Sequence, residues 1–275
     1  MMQMILGKVH PTAIIEEGAE LAQGVEIGPY TLVGSNVKIG ADTRVEGHVV
    51  LAGDARIGER CHIFHGACLG NPSQDKKSKS IKKASLVIGN DNIIREYVTM
   101  NSGGVEGSMT VVGDRNFIMI GCHLAHDCRL GNDIVISNNT VFSGHVTVED
   151  RAVISGIVGI HQYVRVGKFS MTGGVSKLVK DVPPFSICDG HPARFYGLNS
   201  IGLKRAGYSI QDISTIKKAL KILFVRDLRL ADAIEKVKEE FVGNKDVEHL
   251  VWFVENSKRG VYRSLEDQKA SDVVE

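Results

Sequence analysis

Residues 112–130 read VGDRNFIMIGCHLAHDCRL, with an aliphatic side chain at Val112, Ile118, Leu124 and Leu130. The interval of six extends in both directions. It runs without a miss through Val9, Ile15, Leu21, Ile27, Val33, Ile39, Val45, Leu51, Ile57, Ile63 and Leu69, and resumes at Ile88, Ile94 and Met100. Beyond Leu130 it continues through Ile136, Phe142, Val148, Ile154, Ile160 and Val166 to Leu178, slipping once at Thr172. Four positions after many of these stands a small or β-branched residue, as at Ala13, Thr31, Val49, Cys61, Ala67, Cys122, Cys128 and Ala152. Side chains alternate faces along a strand, so that residue and the next aliphatic share a face. Gly, Asn and Asp gather between them, where a corner needs unusual backbone angles. A six-residue unit is too short for a helix and a turn. It predicts a β-solenoid, a parallel β-helix with three sides to a coil and the aliphatics filling its axis. Handedness does not follow from the period.

The ruler breaks at residues 71–86, an insertion carrying Asp75 and five lysines (Lys76, Lys77, Lys79, Lys82, Lys83). Charged insertions are commonly solvated loops, but one leaving a rigid scaffold can also cover an anionic ligand. A shorter break near Gly103–Thr110 carries no evident chemistry. After Pro183-Pro184 the period becomes helical. Ser209 and Asp212 form a capping-box pattern, and Ile213, Ile216, Leu220 and Leu223 mark one helix face. Leu230, Ile234, Val237 and Phe241 mark a second helix, and Val247, Leu250, Val251 and Val254 a third. The expected division is a β-helix with the reactive site over 1–190, an α-helical domain over 191–263 and a disordered tail over 264–275.

The formal net charge is +1 in 275 residues, which argues against nucleic acid as a partner. No segment reads as a signal peptide or a membrane span. The odd count of five cysteines argues against a disulfide framework, so a cytoplasmic location is expected. Local charge is less even: Lys204 to Arg229 holds seven basic and two acidic residues, a surface that could dock an acidic protein.

Reactive side chains concentrate at Cys122-His123-Leu124-Ala125-His126-Asp127-Cys128. Two Cys and two His suggest a metal, but Cys122 and Cys128 fall on the inward register and His126 and Asp127 on the corner. Ligands on opposite faces cannot converge on one ion, so no metal is expected and the cysteines read as core fillers. With about eighteen residues per coil and strands about 4.8 Å apart, Gly144 and Gln162 stack above His126, and His145 and Tyr163 above Asp127. His123 and His161 flank that strip. This set suits acyl transfer. A histidine can take a proton from an alcohol, and a neighbouring carboxylate can fix its tautomer. A glycine one coil above can present an N–H to an oxyanion. No Ser or Cys is placed as a covalent nucleophile, so direct attack by the acceptor is favoured, with no cofactor.

The segments His123-Leu124-Ala125-His126-Asp127-Cys128, Gly144-His145-Val146, Ile160-His161-Gln162-Tyr163 and Asp181-Val182-Pro183-Pro184 resemble those of UDP-N-acetylglucosamine 3-O-acyltransferases of lipid A biosynthesis. So do His10-Pro11-Thr12-Ala13-Ile14 and Gly202-Leu203-Lys204-Arg205, and the similarity spans roughly residues 8–263. The resemblance implies a left-handed β-helix and a homotrimer with sites between neighbouring copies. It implies transfer of an (R)-3-hydroxyacyl chain from acyl carrier protein to UDP-N-acetylglucosamine. By matching position, His126 would be general base, Asp127 its orienting partner and the Gly144 amide the oxyanion donor. His123, His145, His161, Gln162, Asp75 and Lys77 would hold substrate, Asn199 and Arg205 would meet the nucleotide-sugar end, and Gly174 would gauge acyl length, its missing side chain suiting longer chains. Ile201 and Ala206 stand where well-known members carry an acid and a second arginine, and Asn101 replaces a histidine. The residues leave open whether the acceptor presents a 3-hydroxyl or a 3-amino group. Other readings on such a scaffold are the later N-acyltransferase of the pathway, a CoA-dependent acetyl- or succinyltransferase, a γ-type carbonic anhydrase with zinc on His123, His145 and His161, and a non-enzymatic scaffold.

Overall fold

In the computed structural model of the chain, residues 8–76, 83–224 and 228–263 are described. Short strands, mostly two residues long, pair in parallel into three sheets, and each chain turn visits all three. Partners lie eighteen residues apart where the repeat is regular, as in His123 with Val141 and Val141 with Gly159. The result is a left-handed parallel β-helix. Every ruler aliphatic from Ile27 to Leu178 is buried. In the first coil, Val9, Ile15 and Leu21 are only half-buried, because no coil of the described residues stacks beneath them.

The inward small position does more than save space. Thr43 Oγ1 donates to Gly58 O at 2.8 Å, Asn116 Nδ2 to Gly131 O at 3.0 Å, and the Cys122 and Cys128 thiols to Ser137 O at 3.1 Å and Ser143 O at 3.2 Å. Each side chain satisfies a carbonyl exposed at a corner, a pairing that buried polar groups require. Burial pushes the Cys122 thiol up and the Cys128 thiol to about 12, so both stay protonated and are poor metal ligands.

At most corners one residue adopts the left-handed backbone region, including Asp127, His145 and Tyr163 at φ of 61°, 61° and 65°. For a residue with a Cβ this costs about 1–2 kcal/mol, which the stacked core overrides. Both breaks in the ruler leave from the corner that holds these three. The 71–86 insertion follows the strand Cys68–Asn71, and the 102–108 segment follows Thr99–Asn101. Thr99 and Met100 pair with His123 and Leu124, so that segment lies directly beneath the His126–Asp127 corner.

At the top the repeat gives way to an antiparallel hairpin, Ser186–Gly190 with Ala193–Leu198, which continues one sheet beyond residue 190. Among the described residues four helices follow: α1 (Ser200–Arg205), α2 (Ile210–Phe224), α3 (Leu230–Glu240) and α4 (Lys245–Glu255). Ser209 and Asp212 cap α2, the Asp212 N–H donating to Ser209 Oγ at 3.1 Å. The α4 helix is fastened to the upper coils by Lys168 to Asp246 at 2.7 Å, by His249 with Glu149 at 2.8 Å, and by Arg165 donating to Phe253 O and Asn256 O. Buried Asp181 accepts from Arg165 N and Ser257 Oγ, and burial pushes its carboxyl up. Residues 264–275, expected to form a tail, lie outside the described residues. No helix among the described residues is long and apolar enough to cross a membrane.

Because Ile136 is fully buried on the coil axis, Ile136→Ala is expected to cost about 2–5 kcal/mol, read as a lowered thermal midpoint with the circular dichroism spectrum unchanged at 25 °C.

Candidate active site

The His126–Asp127 corner stands between two coils and one covering segment. His126 Nδ1 lies 2.8 Å from Asp127 Oδ2. An ionised carboxylate can only accept, so Nδ1 carries the proton of this bond and Nε2 is the nitrogen turned away from Asp127. The same Oδ2 accepts from the Gly104 N–H at 3.0 Å, and His145 Nε2 stands 3.7 Å away. Asp127's own N–H donates to the buried Thr110 hydroxyl at 2.8 Å. Burial by itself would raise the Asp127 carboxyl; hydrogen bonds from His126 and Gly104, with the Ser108 hydroxyl and the His145 charge, outweigh it and hold the group below the usual carboxylate range.

The stacked column is regular. The His145 N–H donates to His126 O at 3.0 Å and the Tyr163 N–H to Gly144 O at 3.2 Å. The His145 ring lies 4.6 Å from that of Tyr163, nearly parallel, and meets the His126 ring edge-on at 5.1 Å. Clearance around His126 depends on missing side chains. A Cβ at Gly144 would come within 2.6 Å of His126 Cε1 and 2.7 Å of Nε2.

Gln74, Asp75, His123, His126, Gly144 and Gln162 line one cleft of about 360 Å³. Asp75, His123, His126, Gly144 and Gln162 were expected there from the sequence; Gln74 adds to them. His123 Nδ1 meets the Thr99 hydroxyl at 2.7 Å, and burial lowers its pKa, favouring the neutral ring. His145 backs Asp127 without lining the cleft, and exposed His161, next to Gln162 in the chain, does not line it either. Lys77 lies outside the described residues. Asn199 is buried at 5% exposure; its Oδ1 accepts from Gly202 N to cap α1 and its Nδ2 donates to Phe169 O. Arg205 is exposed on the last turn of α1. Neither is brought to the cleft within the chain. Gly174 lies higher, where a Cβ would touch only Gly156 O at 3.5 Å.

The short 102–108 segment carries more than the sequence suggested, since it supplies the Gly104 donor. Asn101, 4% exposed, donates from Nδ2 to Pro72 O at 3.0 Å, and the Ser102 N–H donates to Asn71 O at 2.9 Å. The root of the insertion bearing Gln74 and Asp75 is thereby tied down. Among the described residues, His126, Asp127 and His145 are the one such triple whose ligand atoms all lie within 4.8 Å of one another. His126 and Asp127 already share a hydrogen bond, and the His123–His145–His161 set is not assembled within one chain.

A hexapeptide-repeat β-helix with a histidine–carboxylate pair in an outer cleft defines an acyltransferase of the hexapeptide class. Residues 109–144 match the profile of the bacterial transferase hexapeptide (six repeats), and residues 181–262 match domain 2 of UDP-N-acetylglucosamine O-acyltransferase. The chain is 48% identical over 259 residues to the acyl-[acyl-carrier-protein]–UDP-N-acetylglucosamine O-acyltransferase of Thermodesulfovibrio yellowstonii, covering 94% of this chain and 100% of that protein. It is 43% identical over 259 residues to the enzyme of the same name from Thiobacillus denitrificans, with the same coverage. The crystal structure of the Francisella novicida UDP-N-acetylglucosamine acyltransferase superposes with a TM-score of 0.91 at 34% identity, covering 97% of this chain and 99% of that one. The chain belongs to the UDP-N-acetylglucosamine O-acyltransferase family.

The lowered Asp127 carboxyl has a stability consequence. Its contribution is present above the ordinary carboxylate range and is lost as pH falls through the lowered folded-state value. Asp127→Asn should therefore lower the thermal midpoint at neutral pH, and the gap to wild type should close as the pH is taken into that acid range. A gap independent of pH would contradict the assignment.

Proposed function

We propose that the chain transfers an (R)-3-hydroxyacyl group from acyl carrier protein to the 3-hydroxyl of UDP-N-acetylglucosamine, the first step of lipid A biosynthesis, with His126 as general base. The observation that carries this reading is the orientation of one ring. Asp127 engages Nδ1, which turns Nε2 to the side where Gly144 and the cleft lie. Nε2 takes the proton of the acceptor hydroxyl as its oxygen attacks the thioester carbon. The Gly144 N–H, which has no hydrogen-bond partner among the described residues, faces the resulting oxyanion. The C–S bond then breaks, and the imidazolium returns its proton to the departing thiolate. Asp127 stabilises the imidazolium between these steps.

The remaining surfaces fit the same chemistry. His123, His145, His161, Gln162, Asp75 and Lys77 hold the acceptor and the acyl head. Val141, Ile157 and Val175 are 47%, 61% and 63% exposed on the side of the coil that runs up toward Gly174, an apolar strip for an acyl chain. Lys204, Lys217, Lys218, Lys221 and Arg229 are exposed on or beside the helices and suit an acidic carrier protein. In a homotrimer with clefts between neighbouring copies, exposed Arg205 would meet a nucleotide phosphate. Asn199 shapes that end by capping the helix that carries Arg205. The reaction needs no cofactor and is placed in the cytoplasm. The family names of the relatives support the substrates.

The test is transfer from (R)-3-hydroxymyristoyl carrier protein to UDP-N-acetylglucosamine by wild type and His126→Ala. Wild-type turnover that falls by at least about 10²-fold in the variant, with the fold retained, is the expected result. Turnover unchanged by the variant would exclude His126 as base, and turnover only with a 3-amino acceptor would revise the substrate. Gly174→Met should shift the preferred donor to a shorter chain, measured as kcat/KM across a series of acyl carrier proteins. An unchanged series would remove Gly174 from the acyl path.

A further inference from the structure

We propose that Gly104 is a positioning residue for the catalytic pair, an inference that rests on the general-base reading of His126. The 102–108 segment lies one coil below Asp127 and is held shut by its own turn. The Ser108 hydroxyl donates to Val105 O at 2.9 Å and accepts from the Val105 N–H at 3.1 Å, and the Gly103 N–H donates to Ser85 O at 3.2 Å. This fixed turn aims the Gly104 N–H at Asp127 Oδ2, the oxygen that also accepts from His126 Nδ1. The amide thereby fixes where that oxygen lies, and through it the direction of the His126 ring.

The absence of a side chain at 104 matters independently of the hydrogen bond. A Cβ there would stand 2.9 Å from Asp127 Oδ2 and closer still to His126 Nδ1. Gly104 does not occupy the left-handed backbone region, so alanine meets no conformational barrier of its own. The conflict is with the His126 ring and with Asp127 Oδ2, the two members of the pair. Gly144 bounds the same ring from the opposite coil, so displacement by a Cβ at 104 drives it against a fixed backbone. Gly104 thus acts through Asp127 and His126 without touching substrate.

The experiment is a double-mutant cycle on the full-length protein in the acyl-transfer assay. Gly104→Ala should lower kcat on the order of 10²-fold, the usual cost of misplacing a catalytic group by about 1 Å. KM for both substrates should stay within about threefold, since no binding group is removed. In an Asp127→Asn background the same substitution should cost no more than about twofold, because the contact it acts through is already broken. Equal losses in both backgrounds, a loss carried by KM, or an unchanged kcat would overturn the proposal. If Gly104→Ala does not fold, replacing the Gly104 amide by an ester through incorporated glycolate removes the donor without adding an atom to the side chain. That variant should lower kcat in the wild-type background only, and any other pattern overturns the proposal. Absence of transfer by the wild type would instead overturn the acyl-transfer reading, and the assignment of Gly104 with it.

Discussion

The structure depends on the stacking of inward aliphatic side chains at a fixed interval of six. Buried apolar area, at about 25 cal/mol per Å², rewards every coil for keeping the same length as the one beneath it. Uniform coil length then turns sequence distance into vertical alignment. Asp127, His145 and Tyr163 share a corner because the core beneath them admits no other register. Corners pay for this with left-handed backbone at residues that disfavour it. Exposed Ile157 and Val175, both β-branched, adopt φ of 59°, a conformation that isolated peptides of such residues avoid.

The site follows from placing a flexible ring on that rigid frame and then removing its freedom. Asp127 supplies charge, burial opposes it, and its hydrogen-bond donors keep it ionised. The ring is bounded by residues without side chains above and below. The carboxylate fixes which ring nitrogen faces the cleft, and crowding fixes the direction of the ring.

How far the sequence reveals this depends on whether the ruler reaches the residue concerned. His126, Gly144 and Gln162 were alignable by counting, and so were the inward thiols of Cys122 and Cys128. Gly104 was not, because it sits in a stretch where counting fails and nothing about a lone glycine says which side chain it faces. The ruler also stops before the hairpin of Ser186–Leu198, whose antiparallel pairing has no six-residue signature. Asn199 shows a different limit: resemblance alone directs attention to it, and nothing in the sequence tells that its side chain caps α1 and holds Phe169 O. Such local use of Asn is common and is silent in sequence.

The two ends of the solenoid are unlike. The upper end is covered by a hairpin and helices fastened through Lys168, His249 and Arg165, whereas among the described residues no element covers the first coil from below. In a stack where each unit touches only its neighbours, opening propagates from the weaker end. The cleft lies in the upper coils, remote from that end. Amide protection should therefore rise stepwise from the N-terminal coil, so that fraying at the base is separated from the His126–Asp127 corner by a series of intact layers.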